Sequence, residues 1–129
     1  MPGVTPNEGK DVILELIYAG NDFTIGLFTN SSGLSETSVF SDLVEPSSAG
    51  GYVTQTLTGA SWTVALQNAT YPLVQFNASG ANFSAPVYGY FIATIEATPK
   101  ILHFEVDPSA PRTIVDGGPA YNVDLSSIV

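Results

Sequence analysis

The chain of 129 residues contains no cysteine. A disulfide framework, a thiolate metal centre and a cysteine nucleophile are therefore excluded together. Basic residues are almost as scarce, with Lys10, Lys100 and Arg112 set against twelve acids for a formal charge of −9. Without a basic patch to neutralise phosphates, nucleic acid and anionic membrane surfaces repel such a protein, so neither is expected as a partner. His103 is the only histidine, which leaves one possible member for any histidine-based dyad or metal site. Long apolar runs are missing too. The first apolar segment, Val12 to Ala19, is interrupted by Glu15 and is far shorter than the roughly 20 residues of a membrane helix. The start, Met-Pro-Gly-Val-Thr-Pro-Asn-Glu-Gly, lacks the basic and apolar regions of a secretory signal. A soluble protein without an export signal is expected.

What is present is a chain of single-domain length, 44% hydrophobic and only 12% charged, large enough to close one core without staples. Its surface must be covered mainly by Ser, Thr, Asn and Gly. Residues 1–9 read as an N-terminal arm and 10–129 as one domain. In residues 10–19, Val12, Ile13, Leu16 and Ile17 recur at helical spacing ahead of Gly20, predicting one short amphipathic helix. Its apolar face has two possible uses, docking a partner or plugging the open end of its own fold.

The rest reads as β. Phe23–Thr29, Tyr52–Leu57, Trp62–Leu66, Leu73–Phe76, Val87–Ile95, Ile101–Val106, Thr113–Val115 and Tyr121–Leu125 are β-branched or aromatic runs bounded by turn residues and prolines. About eight short strands at this spacing predict an all-β, antiparallel, jelly-roll-like β-sandwich with a short N-terminal helix. Between the first two strands, Val39, Phe40, Leu43 and Val44 suggest an irregular segment that caps one end of the core.

The motifs for chemistry are weak. Alternation places Leu102, Phe104 and Val106 on one strand face and His103 with Glu105 on the other, which reads as a solvent-side pair in preference to a base and its orienting carboxylate. Gly59-Ala60-Ser61 is half of a nucleophile elbow with strands on both sides, and so a turn. Asp107 and Asp116-Gly117-Gly118 lack the spacing of a calcium loop. Trp62 is expected in the core. No catalytic residue, metal or cofactor is implied, and the expectation is a non-enzyme.

Three stretches carry a resemblance. Ile25-Gly26-Leu27-Phe28-Thr29-Asn30, the run from Gly50 to Val64 with Gly50-Gly51-Tyr52 and Trp62, and Val87-Tyr88-Gly89-Tyr90-Phe91-Ile92 resemble, in order, segments of the small virion proteins of tailed bacteriophages, including those of cyanobacteria. The resemblance implies a capsid decoration (cement) protein on the outer surface of the virion, made in the host cytoplasm. Its partners would be the major capsid protein and further copies of itself, with a homotrimer favoured. An acidic chain suits the outside of a DNA-filled shell. Val12, Ile13, Leu16 and Ile17 are then the candidate interface. The alternative is a carbohydrate- or receptor-binding module of a tail fibre or spike, with Tyr52, Tyr71, Tyr88 and Tyr90 as candidate platforms for sugar rings.

Overall fold

A computed structural model describes residues 3–128. A helix, α1 (Asn7–Leu14), runs on into a wide π-type turn over Glu15–Ala19. Seven strands follow: β1 (Phe23–Phe28), β2 (Gln55–Leu57), β3 (Thr63–Ala65), β4 (Asn68–Phe76), β5 (Gly89–Thr94), β6 (Ile101–Val106) and β7 (Tyr121–Ile128). They form two antiparallel sheets, a four-stranded one ordered β2-β1-β5-β6 and a three-stranded one ordered β3-β4-β7. The expectation of a mostly β chain with two antiparallel sheets and one short helix is met.

The inner faces follow the period of two. Phe23, Ile25, Leu27, Tyr90 and Ile92 of the larger sheet meet Ala69, Val74, Phe76, Tyr121, Val123 and Leu125 of the smaller one in a single buried cluster. The larger sheet is also buried on its outer face, where Gly26, Phe28, Phe91 and Ala93 lie. Phe40 covers this face by packing edge-on against Phe91, with centroids 5.8 Å apart, and Phe104 packs similarly on Phe28. Asn30 pins the covering segment: its side chain accepts from Val44 N–H at 2.8 Å and donates to Asp42 C=O at 2.8 Å. The segment around Phe40 therefore lies over a sheet face, a correction to the expected end cap. Gly26 is required there, because a Cβ would stand 2.5 Å from the Phe91 ring.

Other boundaries differ for physical reasons. The helix starts at Asn7 inside the expected arm, since Pro6 precedes its first turn and its carbonyl accepts from Lys10 N–H at 3.0 Å. Gly20 does not end it in a left-handed conformation. Asn21 does the capping, donating through Nδ2 to the carbonyls of Leu16 and Ile17. β4 runs through Pro72, where breaks in register flanking Tyr71 absorb the missing N–H. Thr113–Val115 is not a strand: only an isolated bridge joins Val87 to Arg112, although Ile114 is buried.

Candidate functional site

The two faces of the N-terminal helix are used oppositely to the simplest reading of its pattern. Leu14 and Tyr18, four residues apart, share one face and are the side chains that enter the core. The Tyr18 ring lies 4.8 Å from Trp62 and 6.0 Å from Phe23, and Trp62 stands in turn 5.0 Å from Tyr71. An aromatic side chain buries more surface than any aliphatic one, so the Tyr18 side takes the core. Val12, Ile13, Leu16 and Ile17 consequently point away, with 49%, 50%, 68% and 38% of their surfaces exposed. The helix thus closes the protein's own sandwich through Leu14 and Tyr18, while these four lie outside the buried core.

The β3–β4 hairpin is tied to this helix. Asp11 Oδ1 accepts from Gln67 N–H at 2.8 Å, and Leu66 beside it is 82% exposed.

Of the four tyrosines that were candidate sugar platforms, two are buried and two are half-buried. Tyr52 is buried, stacked on Phe76 and edge-on to Phe83, and its hydroxyl accepts from Leu27 N–H at 2.9 Å while donating to Glu45 at 2.5 Å. Tyr90 is buried with its hydroxyl donating to Glu105 at 3.0 Å. Tyr71 is half-buried against Trp62, and its hydroxyl accepts from Thr58 N–H. Tyr88 is half-buried. Tyr52 and Tyr90 thus offer no ring face to a ligand, because both rings complete the core.

His103 and Glu105 do share a face, but it is the face of Tyr90 and Ile92. His103 packs beside the Tyr90 ring at 5.9 Å, and Glu105 takes the Tyr90 hydroxyl. On this face His103 is half-buried and Glu105 stays exposed at the sheet edge, where the gap between the sheets opens to solvent, while Phe104 takes the outer face. There β6 and β7, the free edges of their sheets, border a cleft of about 210 Å³ lined by Tyr90, Glu105, Asp107, Arg112, Tyr121 and Asp124. Three of its polar groups are paired with one another: Tyr121 donates to Asp107 at 2.9 Å, and Arg112 lies 3.6 Å from Asp107 and over the Tyr121 ring. Burial first, and then these carboxylates, push the Tyr90 and Tyr121 hydroxyls well above the usual phenol range.

The acids as a group do structural work that composition did not reveal. Asp11, Asp22, Asp42, Asp107 and Asp116 each accept a backbone N–H from a turn or loop. With so few bases present, amides and tyrosine hydroxyls are their partners. Among the described residues no three His, Asp or Glu side chains are grouped to hold a metal ion, and no helix is long and apolar enough to cross a membrane.

No protein-family model, curated protein or solved structure matches this chain.

Proposed function

We propose that this chain is a non-enzymatic interaction protein of a bacteriophage particle, a capsid decoration protein that bridges major capsid subunits on the outer shell, most simply as a homotrimer of jelly-roll-like sandwiches. The observation that carries the reading is the exposed face of Val12, Ile13, Leu16 and Ile17, four apolar side chains gathered on one short helix of a domain that has its own buried core. Burying such a face gives about 25 cal/mol per Å² of apolar surface before the costs of association, and repetition around a shell multiplies weak contacts. The charge of −9 supports an outward position, away from packaged DNA.

The carbohydrate-binding alternative draws little from this fold. It needs open aromatic faces, and Tyr52 and Tyr90 spend theirs in the core.

The test is binding of purified protein to undecorated shells of the phage whose genome carries it, followed by heating of decorated and bare shells. Retention on the shells with a raised disruption temperature is expected. Protein that stays in the supernatant, with shells equally heat-labile, sinks the proposal.

A further inference from the structure

Four strands form the edges of the two sheets, and they differ in length. β2 and β3 have three residues each, whereas β6 has six and β7 eight. A short edge gives another chain little to pair with. A long one presents a row of free N–H and C=O groups and is ordinarily blunted by charged side chains or Pro. The outer face of β7 carries Asp124 beside Asn122. The outer face of β6 carries only Leu102, Phe104 and Val106, of which Leu102 and Val106 are 37% and 55% exposed, and no Lys, Arg or Pro stands between Ile101 and Val106. A groove of about 300 Å³, lined by Ser35, Glu36, Ser38 and Ile101–Phe104, separates the covering segment from this edge.

The backbone fixes which groups of β6 are free. Asp107 N–H donates to Tyr88 C=O, and in the same register Glu105 lies opposite Tyr90 and His103 opposite Ile92. By the period of two, the odd-numbered residues bond inward to β5, and the N–H and C=O groups of Leu102, Phe104 and Val106 point to the open edge. A second β6 running antiparallel must therefore match even residues with even residues. Centred on Phe104, this register sets Phe104 opposite the partner's Phe104, Leu102 opposite the partner's Val106, and His103 opposite the partner's Glu105, the last two contacts occurring twice by symmetry. Glu105 accepts from Tyr90 through Oε2 alone, so Oε1 is available to the histidine. The neighbouring register, centred on His103, opposes the two histidines and sets Glu105 against Ile101, and the match is lost.

We infer that β6 is a self-complementary edge: two copies of this chain pair antiparallel through Ile101–Val106 about a two-fold axis at Phe104, joining two four-stranded sheets into one of eight strands. Apolar side chains then meet on the outer face and His–Glu pairs on the inner one. Two chains of net charge −9 repel at long range, which keeps the contact weak and confines it to high local concentration. The contact leaves the exposed helical face free. It is separate from the three-fold arrangement proposed for the shell and would link one such unit to the next.

Because the chain has no cysteine, engineered ones report the register without background. Leu102→Cys and Val106→Cys are made as separate full-length chains. Mixed and mildly oxidised at high concentration, they should form a disulfide-linked pair on a non-reducing gel, since opposite residues of a hydrogen-bonded pair stand about 5.5 Å apart at Cα. Either chain alone should give little, because like residues then lie four positions apart, about 13 Å. Cross-linking of one chain alone as fast as the mixture, or no cross-link in the mixture, overturns the inference. Sedimentation equilibrium supplies a second reading. The mean mass of the parent should rise between about 10 μM and about 1 mM, and Val106→Pro should move that rise to at least tenfold higher concentration, because it removes an outward N–H. Its melting temperature should fall by only a few degrees. Val106→Lys repeats the test with the backbone donor kept, by placing a charge on the edge. A parent whose mass does not rise, or a rise that both variants share, overturns the edge pairing. Shell binding through the helix is unaffected by either result.

Discussion

The two sheets are built from similar residue types and end in different surroundings. The larger one is buried on both faces, with Phe40 and Phe104 closing the outer side over Phe91 and Phe28. The smaller one is buried on its inner face alone. Its outer side carries Leu73, Gln75, Asn122 and Asp124 in the open, with Gln75 donating to Asn122 across the strand pair at 3.0 Å. An antiparallel sheet can face water on one side, and strict alternation records that state; a sheet covered twice reads as a continuous apolar run. β5, Gly89 to Ala93, is buried throughout, whereas β7 alternates over Tyr121–Leu125. The difference teaches where the molecule is rigid by necessity and where its surface is free to change.

The largest expected effect is on the doubly covered sheet. Phe91 is fully buried, faces Gly26 across the strand pair, and is held under Phe40. Phe91→Ala should cost about 3–5 kcal/mol, the range for deleting a buried aromatic ring that leaves a cavity. Denaturant titration of the purified variant reads this as a lowered midpoint at unchanged slope. A loss under 1 kcal/mol would mean that the Phe40 segment collapses into the space and that the outer cover is soft.

The next effect concerns the tyrosine hydroxyls that join the sheets to acids. Tyr52→Phe removes the acceptor of the Leu27 N–H and the donor to Glu45. The expected loss is about 1–3 kcal/mol, because a buried amide is left unpaired. The same groups fix the response to alkali. Tyr52, Tyr90 and Tyr121 have hydroxyls raised above the ordinary value of 10.0, first by burial and then by carboxylate neighbours. Above pH 10 the unfolded chain releases these protons while the folded one still holds them, so the unfolded state binds fewer protons and stability falls as pH rises. Below pH 10 this contribution is fully present. Chemical denaturation at stepwise pH from 8 to 12 should show the decline beginning near pH 10, with a shallower slope for Tyr52→Phe. A flat profile would refute the assignment of all three hydroxyls as buried donors.

The sequence made the framework legible where local signals agree. β6 falls at Ile101–Val106 as read, because a run rich in Ile, Phe and Val is closed by Pro99 before it and Pro108 after it. The helix was legible as a helix, since apolar residues recur at its period. Which face would be buried was not, because both faces are apolar and the choice rests on a distant partner, Trp62 against Tyr18. Pro72 looked like a strand boundary, and only the broken register of β4 with β7 shows how it fits inside. The turn at Leu66-Gln67 carries no Gly, Asn or Asp, so nothing local announced it. The acids were legible as a count and not as roles, because Asp11 and Asp22 cap amides 56 and 37 residues away.

The smallest expected effect lies on the open face of the smaller sheet. Leu73 belongs to the same strand as the buried Val74 and Phe76, yet 55% of its surface is in water. Replacing it with Thr introduces a β-branched side chain of high strand propensity, removes little buried area, and leaves the Gln75–Asn122 pair in place. The melting temperature should move by no more than about 2 °C, corresponding to the ±0.5 kcal/mol typical of exposed positions. Shell binding should stay at the parent level, because the proposed contact is the exposed helical face of Val12, Ile13, Leu16 and Ile17. If Leu73→Thr instead abolished shell binding without altering the melting point, the open face of the smaller sheet would be the contact. The contrast between the sheets would then be one of function as well as of cover, and the exposed helical residues would lose their claim.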